Sequence, residues 1–198
     1  MNDIYMDNAA ATRLDEAVLE AMRPCFFDSY AVATSEFGYS KGIEARELLA
    51  DARSRLASII GAEPEEIVFT SGNTESSNLA LKGVAKALGE KKGKHLVISR
   101  IEDFPVLHSA RALERQGFSV DYAEVDADGG IYLDQLEALL SDQTVLVSIQ
   151  HGNQEIGTIQ DVEAIGRLCR ERDILFHTDA TYTFGRVPID VRKIHADL

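Results

Sequence analysis

The sequence predicts an α/β fold built on a mostly parallel sheet and preceded by N-terminal helices. Two observations carry that expectation. From residue 66 onward, short β-branched runs alternate with longer stretches of helical period, and no repeat, low-complexity tract or Pro/Gly/Ser-rich linker interrupts the 198 residues. Strands alternating with helices build βα units around parallel strands. A hydrophobic content of 45% in a chain of this length supports one sizeable core, so one large domain is expected.

Two helical stretches come first, LDEAVLEAMRPCF and KGIEARELLADARSRLASIIG. The second carries Leu48, Leu49, Ala52, Leu56, Ile59 and Ile60 along one face, expected to pack beside the sheet. The alternation then runs EIVFT with TESSNLALKGVAKALG, HLVIS with FPVLHSARALERQG, FSVDYAEV with YLDQLEALL, TVLVSI with VEAIGRLCRER, and finally ILFHTD. Cys25 and Cys169 fall in helices, outside any Cys-x-x-Cys pair, and are expected to be small apolar core residues.

Charge narrows the function. Against 33 Asp+Glu stand 20 Lys+Arg, a formal net charge of -13 that repels phosphate backbones and excludes a nucleic-acid role. No apolar run approaches the roughly 20 residues that cross a bilayer, and the start MNDIYMDNAAATR lacks a signal-peptide pattern, so a cytoplasmic protein without membrane contact is expected.

In open parallel sheets ligands collect beyond the carboxyl ends of the strands. Three segments there are rich in polar groups. Phe69-Thr70-Ser71-Gly72-Asn73-Thr74-Glu75 is a glycine turn opening into a helix. Its free N–H groups, dipole end and Thr74 hydroxyl suit a phosphate dianion, and equally an ordinary helix cap. Phe176-His177-Thr178-Asp179-Ala180-Thr181 places a carboxylate after an apolar strand, where it would hold a protonated heteroaromatic nitrogen. His177 with Asp179 also suggests a metal pair, but no third ligand has suitable spacing, and no metal is expected. His151-Gly152-Asn153-Gln154-Glu155-Ile156-Gly157 follows TVLVSI and is either a ligand-facing loop or a self-satisfied polar turn.

In this order the three segments resemble the large domain of class V aminotransferase-like, fold-type I pyridoxal-phosphate enzymes, in particular the NifS/IscS type of cysteine desulfurase. The likeness begins at Tyr5-Met6-Asp7-Asn8-Ala9-Ala10-Ala11-Thr12 and runs through EEIVFTSGNTESSNLALKG, KGKHLVIS, LVSIQHGNQEIGTIQDV and HTDATYTFGRVPIDV. It implies a three-layer transferase-like large domain, with Asn73 and Thr74 at the cofactor phosphate and Asp179 at the pyridine nitrogen. It also implies a homodimer, sulfur leaving cysteine as a persulfide, and an iron–sulfur scaffold or sulfur-acceptor partner.

The chain departs from the family at the ring. Where the family has Thr/Val-Glu-His, this chain has Ile101-Glu102-Asp103, so a carboxylate replaces the imidazole that lies over the ring. The second Asn of H-x-N-N-E-x-G is Gln154, and D-A-T-Q becomes Asp179-Ala180-Thr181-Tyr182. The family's G-N-P-S-S-x-H is replaced by residues 33–39. The resemblance therefore assigns cofactor contacts to Asn73, Thr74, Asp103, Gln154, Asp179 and Tyr182, and no catalytic residue. The S-x-H-K segment with the cofactor-binding lysine, and the small C-terminal domain with its persulfide cysteine, are absent from these 198 residues. Lys82, Lys86, Lys91, Lys92 and Lys94 read as a solvated helix face and its exit. A fragment, a split enzyme completed by a second polypeptide, and a degenerate relative are all compatible with this pattern. So are a non-catalytic binding or assembly module and another class V reaction such as selenocysteine lysis.

Overall fold

In a computed structural model of the chain the described residues are 4–35 and 38–198, and they form two compact units, Met1–Ile67 and Val68–Leu198. Glu36 and Phe37, in the stretch that departs from the family near the start, lie outside the described residues.

The first unit holds helix α1 (Glu16–Phe27), capped by Asp15, whose side chain accepts from Ala17 N, and helix α2 (Ser40–Ile60), ended by left-handed Gly61. Lys41 Nζ donates to Asp28 O at 2.8 Å, and Arg46 donates to Ala33 O at 3.2 Å and Ser35 O at 2.7 Å, joining the start of α2 to the preceding loop. The apolar stripe expected to be covered is largely exposed. Leu48, Leu49 and Ile59 are solvent-accessible, and only Gly42 and Ala57 of α2 are buried. Helical period marks an apolar face but does not say what covers it. Cys25 is exposed as well, against the expectation of a core residue, because no residue of α1 is buried.

The second unit is a three-layer sandwich. Four parallel strands, β1 (His95–Ser99), β2 (Ser119–Ala123), β3 (Thr144–Ser148) and β4 (Leu175–His177), lie in the order β2-β1-β3-β4. The two central strands are buried along their whole length, as parallel strands covered on both faces must be. Residue alternation in β1 sorts the core. Leu96 and Ile98 face α3 (Asn73–Leu88) and α4 (Phe104–Glu114), with Leu81, Val84, Val106 and Leu113. Val97 faces the other layer, with Leu136 of α5 (Leu133–Leu139) and Ile165, Leu168 and Cys169 of α6 (Val162–Glu171). The short α7 (Val191–Ile194) closes that layer through buried Ile194.

One predicted strand is absent. EIVFT begins in a 3-10 turn (Pro64–Glu66) and continues as extended chain without a ladder, leaving Val68 66% exposed. A β-branched run becomes a strand only where a neighbour accepts its hydrogen bonds, and none of the described residues does so. The topology also fixes where chemistry belongs. The chain leaves β1 toward β2 and returns to enter β3 on β1's other side, so β1 and β3 flank the switch point of the sheet.

Candidate functional site

Gly72 opens the first polar segment with φ 150° and open space where a side chain would stand. That conformation admits glycine readily and an L side chain only with strain. It turns the extended chain directly into α3, whose first intrahelical bond is Ser76 N to Gly72 O at 3.1 Å. The N–H groups of residues 73–75 consequently have no helical partner. The exposed Thr74 offers its hydroxyl beside them. Ser71 is spoken for: its N–H and Oγ–H both donate to Glu75 Oε2, at 2.7 and 2.6 Å, and these bonds hold the Glu75 carboxyl below its ordinary range.

Asp179, 8% exposed, stands just beyond β4 and meets that turn. Asn73 Nδ2 donates to Asp179 Oδ2 at 3.1 Å, while Ser77 Oγ donates to Asn73 Oδ1 at 2.7 Å, so α3 grips the carboxylate through a fixed amide. Thr181 N donates to Asp179 Oδ1 at 2.9 Å, and His151 N donates to the Asp179 carbonyl at 2.9 Å. His151 in turn pairs its Nδ1 with Thr183 Oγ1 at 2.9 Å, and burial lowers its pKa. His177 Nδ1 lies 2.7 Å from Ser148 Oγ; burial, opposed by the nearby Asp179 carboxylate, pulls its pKa down to about 4, so the ring is neutral at neutral pH.

The third group sits at the switch point. Asp103 caps α4, accepting from Phe104 N at 2.8 Å through Oδ1, and accepts the Tyr182 hydroxyl at 3.0 Å through Oδ2. Partial burial and this carboxylate push the Tyr182 phenol up to about 12, so it remains a donor. Asp103 and Tyr182, both departures from the family pattern, thus satisfy each other across 79 positions of sequence. Gln154 presents a buried Oε1 without a hydrogen-bond partner among the described residues. The loop bearing it is pinned to β1's exit by Gln150 Nε2 and Asn153 Nδ2, which donate to Ile101 O at 2.8 and 3.1 Å.

Comparison with known proteins places the chain in a family. The aminotransferase class-V pattern matches residues 4–198. The chain belongs to that family. Among class-V relatives, the cysteine desulfurase IscS of Proteus mirabilis is 47% identical over 200 aligned positions, covering 98% of this chain and 48% of the relative. The IscS of Neisseria meningitidis serogroup A is 46% identical over 195, with the same coverage. The chain thus spans about half the length of the curated relatives it matches. Among solved structures, a NifS-like protein superposes with a TM-score of 0.90 at 39% identity, over 96% of this chain and 52% of its own. SspA in complex with cysteine gives 0.90 at 41%, over 96% of this chain and 54% of its own.

Pyridoxal phosphate is the cofactor of the class-V family. It requires donors for a dianionic phosphate and a carboxylate for a pyridinium nitrogen. The first-turn N–H groups, the Thr74 hydroxyl and the buried Asp179 carboxylate supply that donor set at one sheet edge, and they fit the group. Sequence reasoning passed over Glu102, Gln150 and Ser77, which carry much of the site's internal bonding. The available signal was positional: Glu102 is a carboxylate within three residues of the end of a wholly buried central strand.

Proposed function

We propose that this chain is the cofactor-binding portion of a pyridoxal-phosphate-dependent, cysteine desulfurase-like protein that moves sulfur from L-cysteine toward iron–sulfur cluster or thio-cofactor assembly. The observation that carries the proposal is the Asn73–Asp179 hydrogen bond, which holds the phosphate-suited turn and the nitrogen-suited carboxylate side by side. The names of the IscS relatives, and of a similar structure holding cysteine, support the substrate.

Asn73 and Thr74 would hold the phosphate at the N-terminus of α3, and Asp179 the pyridine nitrogen. Gln154, Tyr182 and Asp103 would line the ring. Bound there, the cofactor supplies an electron sink for charge developing at a substrate α-carbon. This chain's own residues orient and shield it. Thr181 N and the Asn73 amide lock the buried Asp179 carboxylate, one at each oxygen. The cofactor-binding lysine and the persulfide cysteine would come from the remainder of the protein or from a second polypeptide, in a cytoplasmic homodimer that hands sulfur to an acceptor or scaffold protein. No helix among the described residues is long and apolar enough to cross a membrane.

The Asp103–Tyr182 pair favours a second reading, a relative that keeps the fold and the phosphate site but serves another class V reaction, such as selenocysteine lysis, or a non-catalytic assembly role. Thermal unfolding with added pyridoxal phosphate tests the first claim. Ligand at about 100 times its dissociation constant adds about 2.7 kcal/mol, a rise of several degrees, which Asp179→Asn and Thr74→Ala should abolish or halve. No rise at millimolar cofactor refutes it. A rise without sulfur release from cysteine, once the completing polypeptide is present, selects the second reading.

A further inference from the structure

Glu102 is a carboxyl group in a place where a charge has no support. It is 5% exposed, just past β1 at the switch point. Oε1 accepts from Ser99 Oγ at 2.6 Å and from Gln150 N at 2.8 Å, while Oε2 is buried with no partner among the described residues. The loop after β3 holds two further buried oxygens that lack a donor. Gln150, whose N–H already reaches Glu102, has a buried Oε1 without a donor, and so does Gln154 in the same loop. An ionised Glu102 would keep a charged, unpaired Oε2 in the interior, whereas a protonated one removes that buried charge.

The groups facing Glu102 argue the same way. Ser99 from β1 and Gln150 from the loop after β3 are neutral donors, and the Asp179 carboxylate beyond β4 opposes a second negative charge. On its own segment, Asp103 has both oxygens engaged, by Phe104 N and Tyr182, and gives Glu102 no cation. Among the described residues no Lys, Arg or His acts on Glu102, and His177, neutral at neutral pH, pairs with Ser148.

We propose that Glu102 is a positioning residue that carries a proton in the folded protein, and that this neutral acid ties the exit of β1 to the loop after β3 through Gln150 N. Burial, the largest influence, lifts the Glu102 carboxyl to about 8, ahead of the opposing bonds from Ser99 and Gln150. The proposal does not require bound cofactor, because acid and loop belong to the folded chain itself. If it holds, the polar floor under the ring site is set by a proton rather than by an ion pair.

Linkage gives the sign. Glu102 is protonated when folded and ionised when unfolded between the ordinary glutamate range and about 8, so its contribution is fully present at low pH and is lost as pH rises through that window. Unfolding of the cofactor-free chain at about pH 7 should therefore release close to one proton more than unfolding of Glu102→Gln, which keeps the shape and a neutral head. In NMR titrations of the wild type, the Gln150 amide should shift with a midpoint near 8, and in Glu102→Gln it should not move. Equal proton release in the two proteins, or a wild-type Gln150 amide that stays still from about pH 6 to 9, overturns the proposal. Should Glu102→Gln fail to fold, carboxyl-labelled glutamate in the wild type decides. One glutamate titrating above pH 7 supports the proposal, and all of them ionised by about pH 6 overturns it.

Discussion

Replacing Tyr182 by Phe removes one hydroxyl and leaves the ring, so the substitution isolates the 3.0 Å bond to Asp103 Oδ2. A hydrogen bond to a charged group contributes about 1.5–3 kcal/mol when well buried. Both residues are only half-buried here, and solvent screening moves the expectation to the low end, about 1–1.5 kcal/mol. For a chain of this size that is a fall of roughly 3–5 °C in Tm. Asp103→Ala should cost more, because it also removes the cap on Phe104 N, worth about 1 kcal/mol by itself. The double variant should then be less destabilised than the sum, with a coupling of about 1 kcal/mol. Urea unfolding of the four proteins, followed by far-ultraviolet dichroism, measures the cycle. A coupling below about 0.3 kcal/mol would show that the two departures from the family pattern are independent, and would refute their treatment as one matched unit.

Two further outcomes follow from burial. His177, neutral in the fold with a pKa near 4 against 6.5 in its ordinary state, must take up a proton on unfolding in acid. Its contribution is present above about 6.5 and lost as pH falls toward 4, by about 3 kcal/mol in all. The difference in urea midpoint between wild type and His177→Asn should shrink over that window, and a constant difference would refute it. The two cysteines should separate cleanly under a thiol reagent. Exposed Cys25 reacts in the native protein, while Cys169, buried and pushed up to about 12, reacts only after denaturation, so a native titre of two thiols would contradict the packing of α6.

Much of this was legible in the residues because it depends on period and order. HLVIS forms β1 without adjustment, and TVLVSI places β3 to within one residue, since strands buried on both faces read as continuous apolar runs. EIVFT carries the same signal and forms no strand, because a ladder needs a partner that composition does not supply. The α2 stripe fails for a related reason: Leu48, Leu49 and Ile59 mark a face, and what covers a face is a property of its neighbours.

At the site the division is sharper. Asn73 and Asp179 stand out as polar groups after apolar runs, and the fold brings them together over 106 positions. Asp103 and Tyr182 read singly as two losses, an imidazole and an amide, and only their shared hydrogen bond shows that each supplies what the other lacks. Glu102 is hidden more deeply. As a letter it is one of many acidic residues on a chain of net charge -13, expected in solvent. Its significance comes from its surroundings, burial beside the loop after β3, which reaches it through Gln150 N, and beside the Asp179 carboxyl beyond β4, segments that the order β1-β3-β4 sets next to one another. Through Oε1 it accepts from Ser99 of β1 and from Gln150 N after β3, so the residue that looks most like surface in the sequence is the one that joins the site's two central strand ends.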